Sequence, residues 1–337
     1  MTPTQESLQE FVNKLNKFSP VTSSDGRILP AIIVEGSTDI QYFKTLLCED
    51  VVFGSAGDKQ ETLRRGKEIQ GLVSNRPVFT IVDADFERLD SSTSNNPPFV
   101  ARCDHHDVET MFYSCGYADV QYERLRLNTH SKRTRDQICN LVQEAGWALL
   151  GSLRLGDTFG FDDVCFDAAC RFLNGNVLDP IEALYRHLQV NGSTWHTDKQ
   201  VERLRLQVGT AKRKLKRLGV AQPGYDWDLV VGHHVQDAIA AMGVCLPSPA
   251  PTDGSASCTN QVRNARDVSH HLRDLITDDV DNSRTDGARL SALRKLHLIE
   301  QLGAWEMNGK YRLLKCGLVD AREGRARGCR GCARRSI

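Results

Sequence analysis

The feature that most restricts this chain's fold is a rhythm of short apolar runs. Ala31-Ile32-Ile33-Val34, Val51-Val52-Phe53 and Val78-Phe79-Thr80-Ile81-Val82 are unbroken and rich in β-branched or aromatic residues, and each is too short for a buried helix. Such runs suit strands buried on both faces. The intervening segments have helical spacing. Ser37 can cap a helix with Ile40, Phe43, Leu46 and Leu47 on one face, and a helix from about Lys59 to Val73 turns Leu63, Ile69, Leu72 and Val73 inward. An amphipathic helix precedes them: Thr2-Pro3-Thr4-Gln5 has the form of a capping box, followed by Leu8, Phe11, Val12, Leu15 and Phe18. Strands alternating with helices imply right-handed crossovers, hence an α/β, Rossmann-like core with a mainly parallel sheet. A further short strand is expected over Phe99 to Arg102.

In open sheets of this kind the functional crevice lies at the carboxyl ends of the strands. Here Glu35 follows the first strand, and Asp83 and Asp85 follow the third, so these acids are expected to converge. Clustered carboxylates repel and raise one another's pKa values, a cost that a divalent cation removes. Hard oxygen ligands select Mg²⁺ or Mn²⁺. Two readings of Asp83-x-Asp85 stay open, metal ligation and the capping of a turn. Asp39 likewise suits either an auxiliary metal role or interaction with the dipole of its own helix. Asp104 and Glu109 divide in the same way, while His105 and His106 are read as exposed, with a proton relay as the alternative.

The length of 337 residues suggests two units at roughly 100 to 200 residues per domain. The expected division is an N-terminal helix over 1–27, the catalytic core over 28–120, a helical and basic elaboration over 121–245, a linker or loop over 246–260, C-terminal helices over 261–316, and a basic, disordered tail over 317–337. The second unit is thus mostly helical. Lys plus Arg and Asp plus Glu each number 43, so no global field favours nucleic acid or membrane and any basic surface must be local. One candidate is the helix from Lys199 to Arg217, where Lys199, Arg203, Arg205, Lys212, Arg213, Lys214, Lys216 and Arg217 face a single acid, Glu202. Within it, Lys199, Arg203, Lys212, Arg213 and Lys216 are the expected phosphate contacts. Arg124, Arg126, Lys132, Arg133 and Arg135 are a weaker second candidate. Eleven cysteines without a signal peptide argue for reduced thiols in a cytoplasm. Cys329-x-x-Cys332 is half of a zinc-ribbon signature without a second half. No apolar run approaches the ~20 residues of a bilayer span. The chain has no Walker A loop, so ATP hydrolysis, where needed, belongs to a separate protein.

Val34-Glu35-Gly36-x-x-Asp39 after a strand, followed by Ile81-Val82-Asp83-x-Asp85, resembles the TOPRIM domain of topoisomerases, primases and OLD-family nucleases over residues 28–120. Asp104-x-x-Asp107-x-Glu109 and Trp227-x-x-Val230-x-Gly232-His233 resemble the OLD-like TOPRIM family that includes effectors of phage-defence systems such as PARIS. His234 departs from that pattern, which has an acid or amide there. The resemblance implies a TOPRIM core in which Glu35, Asp83 and Asp85 are catalytic and bind Mg²⁺ or Mn²⁺, with Asp39 and Glu109 as auxiliary ligands. It implies a nuclease acting on DNA or on RNA such as tRNA, a toxin or effector partnered by an ABC-type ATPase, and it is compatible with a homo-oligomer. Two alternatives remain, a non-catalytic TOPRIM assembly or nucleic-acid-binding module, and a primase or topoisomerase subunit.

Overall fold

A computed structural model describes residues 8–17, 30–49, 51–73, 76–90, 97–156, 159–161, 163–190, 197–217, 227–245, 265–282, 287–308 and 313–318. The chain forms two compact units, one made of 1–84, 93–115 and 273–337, the other of 85–92 and 116–272. The linker expected over 246–260 and the basic tail with Cys329 and Cys332 lie outside the described residues.

The first unit opens with α1 (Leu8–Lys17), β1 (Ala31–Val34), α2 (Ser37–Leu46), β2 (Val52–Ser55), α3 (Lys59–Leu72), β3 (Val78–Val82), β4 (Val100–Arg102) and α4 (Val108–Phe112). Its strands form a four-stranded sheet in the order β2-β1-β3-β4, and every pair is parallel. The α/β class and the parallel sheet are therefore as the apolar runs require. Every residue of β1 and β3 is buried, because both strands lie inside the sheet and are covered on both faces. On one face Phe11, Val12 and Leu15 of α1 join Ala31, Ile33, Ile69 and Val78 in a core. Gly54, which reads as a strand terminator, lies instead within β2. The ring of Phe11 packs onto its backbone, and a Cβ there would sit 2.5 Å from Phe11 Cε2. The strand order reverses direction at β1: β2 lies on one side of it and β3 on the other, which makes the β1/β3 carboxyl ends the switch point of the sheet.

The second unit is helical among the described residues: α5 (Ala118–Arg124), α6 (Lys132–Leu155), α7 (Val164–Leu173), α8 (Pro180–Val190), α9 (Asp198–Arg217) and α10 (Gly232–Val244). Its centre is α10, where Val235, Ala238, Ile239, Ala240, Ala241 and Met242 are all buried. Then α11 (Ala265–Asp281) carries the chain back to the first unit, which α12 (Ala288–Arg294) and α13 (His297–Asn308) complete. The C-terminal helices α12 and α13 thus belong to the sheet unit. There Trp305 of α13 stacks on Phe79 of β3, centroids 4.3 Å apart, and Gln301 Nε2 donates to Val100 O of edge strand β4 at 3.3 Å. Leu47 and Leu314 add an antiparallel bridge. Covering β4 in this way protects an edge that would otherwise offer unpaired backbone groups.

Candidate metal centre

The site begins where β1 stops. Glu35 follows Val34, and Gly36, in extended conformation, is the N-cap of α2. Asp39 turns back so that its Oδ2 accepts the Gly36 N–H at 2.7 Å, so Gly36 and Asp39 start the helix where Ser37 was expected to cap it. Glu35 reaches across to the next strand, its Oε1 accepting the Asp83 N–H at 2.8 Å. That bond ties the carboxyl end of β1 to that of β3. Just after β4, the buried Cys103 thiol donates to Asp83 Oδ1 at 3.5 Å. The buried Asp107 then caps α4, accepting the Thr110 N–H at 2.8 Å on Oδ1 while Oδ2 lies 3.2 Å from His106 Nδ1. Tyr42 in the middle of α2 stacks on Phe112 at the end of α4 with centroids 5.8 Å apart, which packs these two helices against each other.

The electrostatics show how closely these groups are gathered. Burial raises Asp83 well above the usual aspartate range, and the charges of Asp107, Asp39, Glu35 and Glu109 push it further in the same direction. Burial lifts Asp39 to about 6; the Gly36 N–H opposes this and the charge of Asp107 adds to it. Glu109 is also raised well above its ordinary value by burial, then by Asp107 and Asp39. Five carboxylates therefore crowd one end of the sheet, where their like charges oppose one another's ionisation, a costly arrangement unless a positive charge compensates it.

Of the residues expected at this site, Glu35, Asp39, Asp83 and Glu109 come together. Asp107 joins them. It was visible only as one letter of the Asp104-x-x-Asp107-x-Glu109 spacing, and its role depends on α4 starting beside α2. Asp85 has φ +49, in the left-handed region that aspartate tolerates better than most residues, and it begins the segment belonging to the second unit. Asp104 has a different duty: its two oxygens accept the His297 and Leu298 N–H groups at 2.8 Å each, so it caps α13 from far away in sequence. Asp104→Ala is expected to lower stability by about 1–2 kcal/mol, with Asp104→Asn milder, as thermal melts would show. The histidines also differ from expectation: His106 is buried against Asp107 and His105 is partly buried.

Among the described residues, no three His, Cys, Asp or Glu side chains converge closely enough to enclose a metal ion by themselves. Glu35 Oε1, Asp39 Oδ2 and Asp107 Oδ1 are each occupied by an N–H group. The donor set nevertheless fits Mg²⁺ or Mn²⁺, because such ions are commonly held by one or two carboxylates and complete their octahedron with water and substrate phosphate.

In the second unit the basic helix α9 is only partly what its charge suggests. Lys199, Arg203, Arg213 and Lys214 are exposed. Lys212 is not a free phosphate contact: its ammonium pairs with buried Glu144 and lies 6.0 Å from the centre of the Trp147 ring. Glu144 also accepts the Tyr185 hydroxyl at 2.8 Å, while Arg205 stacks on Tyr185 and binds Glu182 at 2.8 Å. The apolar side of α9 must lie against α6 and α8, and this draws two cations inward with it. The Lys216 side chain lies outside the described residues. His234 is fully buried in α10, its ring 4.5 Å from that of His233. No described helix is long and apolar enough to cross a membrane. No protein-family model matches the chain, and no curated protein is detectably similar to it.

Proposed function

We propose that this chain is a Mg²⁺- or Mn²⁺-dependent nuclease of the TOPRIM type, hydrolysing phosphodiester bonds in DNA or in RNA such as tRNA. The observation that carries this reading is the gathering of Glu35, Asp39, Asp83, Asp107 and Glu109 at the switch point of a parallel sheet. Asp83 and Asp39 would hold the cation, with Asp85 as a further ligand that the TOPRIM resemblance suggests. Such an ion, when bound, would supply positive charge to offset that of the phosphate and would favour ionisation of an attacking water. Glu35 fixes the backbone of Asp83, and its carboxylate would take the proton of an attacking water. The Cys103 thiol holds the Asp83 carboxylate in place. An anti-phage toxin or effector controlled by an ABC-type ATPase rests on the OLD-like resemblance.

One observation favours the alternative of a non-catalytic TOPRIM assembly or nucleic-acid-binding module: three of the carboxylates already accept N–H bonds within the fold. The deciding experiment incubates the protein, with and without an ATPase encoded beside it, with plasmid, single-stranded DNA and tRNA in Mg²⁺ or Mn²⁺. Cleavage that disappears in Glu35→Gln supports the nuclease. Its absence from every combination favours the binding module.

The exposed cations of α9 suit phosphate contact without sequence reading. Arg203→Glu combined with Arg213→Glu is expected to weaken binding and to reduce the slope of log K against log salt by about 1 per lost contact. Lys212→Ala should leave that slope unchanged and lower the melting temperature instead, since it strands Glu144. A salt titration of nucleic-acid binding separates the two.

A further inference from the structure

We propose that Cys170 and Cys245 form a vicinal dithiol modification site, which closes to an intramolecular disulfide when a hydroperoxide reaches Cys245. The inference is independent of the metal centre and rests on how two helix ends meet in the second unit. Cys170 lies in the last turn of α7, Asn174 is the C-cap of the same helix, and Cys245 is the C-cap of α10, its N–H bonded to Ala241 O at 2.9 Å. The Cys170 thiol hydrogen-bonds to the Cys245 sulfur, and the Asn174 side chain hydrogen-bonds to that sulfur as well.

Both cysteines are partly exposed, whereas Cys48, Cys103, Cys115 and Cys165 are buried. Cys139 is also partly exposed and hydrogen-bonds to the Tyr122 hydroxyl. Access and pairing therefore coincide at Cys170 and Cys245. The arrangement also assigns roles. Hydrogen bonds from Cys170 and then Asn174 favour negative charge on Cys245 and hold it down to about 7 against the effect of burial, while the bond to Cys245 pushes Cys170 upward. Thiolate character is what makes a cysteine nucleophilic.

The chemistry balances with a hydroperoxide as oxidant. The Cys245 thiolate attacks the peroxide oxygen, the S–O bond forms as the O–O bond breaks, and the leaving oxygen takes a proton to depart as water or alcohol. The Cys170 thiol then attacks the Cys245 sulfur of the resulting sulfenic acid. An S–S bond forms, the S–O bond breaks, and hydroxide leaves with the Cys170 proton as water. Two thiols lose two electrons and two protons in all, and the peroxide is reduced.

The test treats the reduced, full-length protein with hydrogen peroxide at pH 7, blocks residual thiols with N-ethylmaleimide and maps the peptides by mass spectrometry. The expected first product is a peptide pair linked through Cys170 and Cys245, formed roughly tenfold faster than an ordinary exposed thiol is oxidised at that pH. In Cys170→Ser, Cys245 should stop at a sulfenic acid that dimedone traps. In Cys245→Ser, Cys170 should take up no dimedone. Phenylarsine oxide, which bridges two close thiols, should bind the reduced protein at this pair and lose that binding in either variant. Wild-type peptide mapping alone overturns the proposal if Cys170 and Cys245 remain alkylated while other cysteines oxidise, or if either pairs preferentially with a different thiol. Equal rates of peroxide consumption in the protein and in Cys245→Ser would overturn it as well.

Discussion

Replacing Asp83 with asparagine is expected to abolish divalent-cation-dependent cleavage, by roughly 100-fold or more, while raising the melting temperature of the metal-free protein. Both effects come from one cause. Asp83 is placed where burial and four neighbouring carboxylates oppose its charge. Asparagine keeps its shape and can still accept the Cys103 thiol, but it removes the charge that a cation would bind. A site assembled for a cation is strained without one, so activity and stability should move in opposite directions.

The pH dependence follows with a definite sign. The folded-state pKa of Asp39 is raised to about 6, so between the ordinary aspartate value and about 6 the folded protein keeps a proton that the unfolded chain has released. The folded state binds more protons in that window, and stability therefore falls as pH rises through it. Asp83 and Glu109 are raised as well, chiefly by burial, so their contribution has the same sign. Thermal melts in EDTA at pH 5 and pH 8 should show wild type losing stability at the higher pH, by on the order of 1 kcal/mol from Asp39 after solvent screening. Adding Mg²⁺ at pH 8 should recover the loss in wild type and not in Asp83→Asn. Equal cleavage by the two proteins, or equal Mg²⁺ shifts, would sink the metal assignment.

A second large effect is expected in the helical unit, where Gly146→Ala should destabilise the protein by about 1–3 kcal/mol, even though alanine is the better helix former. A Cβ at Gly146 in the middle of α6 would lie 2.1 Å from the Leu229 carbonyl oxygen and 3.1 Å from its carbon. Leu229 is fully buried, and a backbone carbonyl has no rotamer by which to move aside. The helix and the chain entering α10 can approach this closely only because residue 146 has no side chain. Gly71→Ala on α3 is the matched control: nothing lies within 4 Å of the added methyl, so the substitution should be neutral or stabilising by up to about 1 kcal/mol. At ~2–4 °C per kcal/mol for a unit of this size, the two variants should melt on opposite sides of the wild type. A Gly146→Ala protein melting at or above the wild type would show that α6 and the Leu229 segment are not packed as described.

Much of the sheet unit could be read from the sequence because the relevant signals are local. An unbroken β-branched run such as Ala31–Val34 or Val78–Val82 has few fates other than a strand covered on both faces. The acid immediately after each run must then lie at a strand's carboxyl end, which is how Glu35 and Asp83 were found in contact. Strand limits were less legible. β2 extends through Gly54, whose missing side chain leaves room for the ring of Phe11 on a different element.

Other assignments needed the folded chain. Asp104 and Asp107 are three positions apart in one acidic motif, yet one caps α13 and the other joins the carboxylate cluster, because α13 returns to cover β4 while α4 starts beside α2. Lys212 reads as one more cation of a basic stripe, yet Glu144 on α6 claims it. Cys170 and Cys245 are unremarkable among eleven scattered cysteines until α7 and α10 bring their ends together. The sequence by itself determined the alternation of strands and helices, the parallel core and the acids at its strand ends, since each follows from the spacing of neighbouring residues. Only the tertiary structure decided which charges are gathered and which are neutralised, and which thiols meet, because those depend on contacts between residues far apart in the chain that no local period encodes.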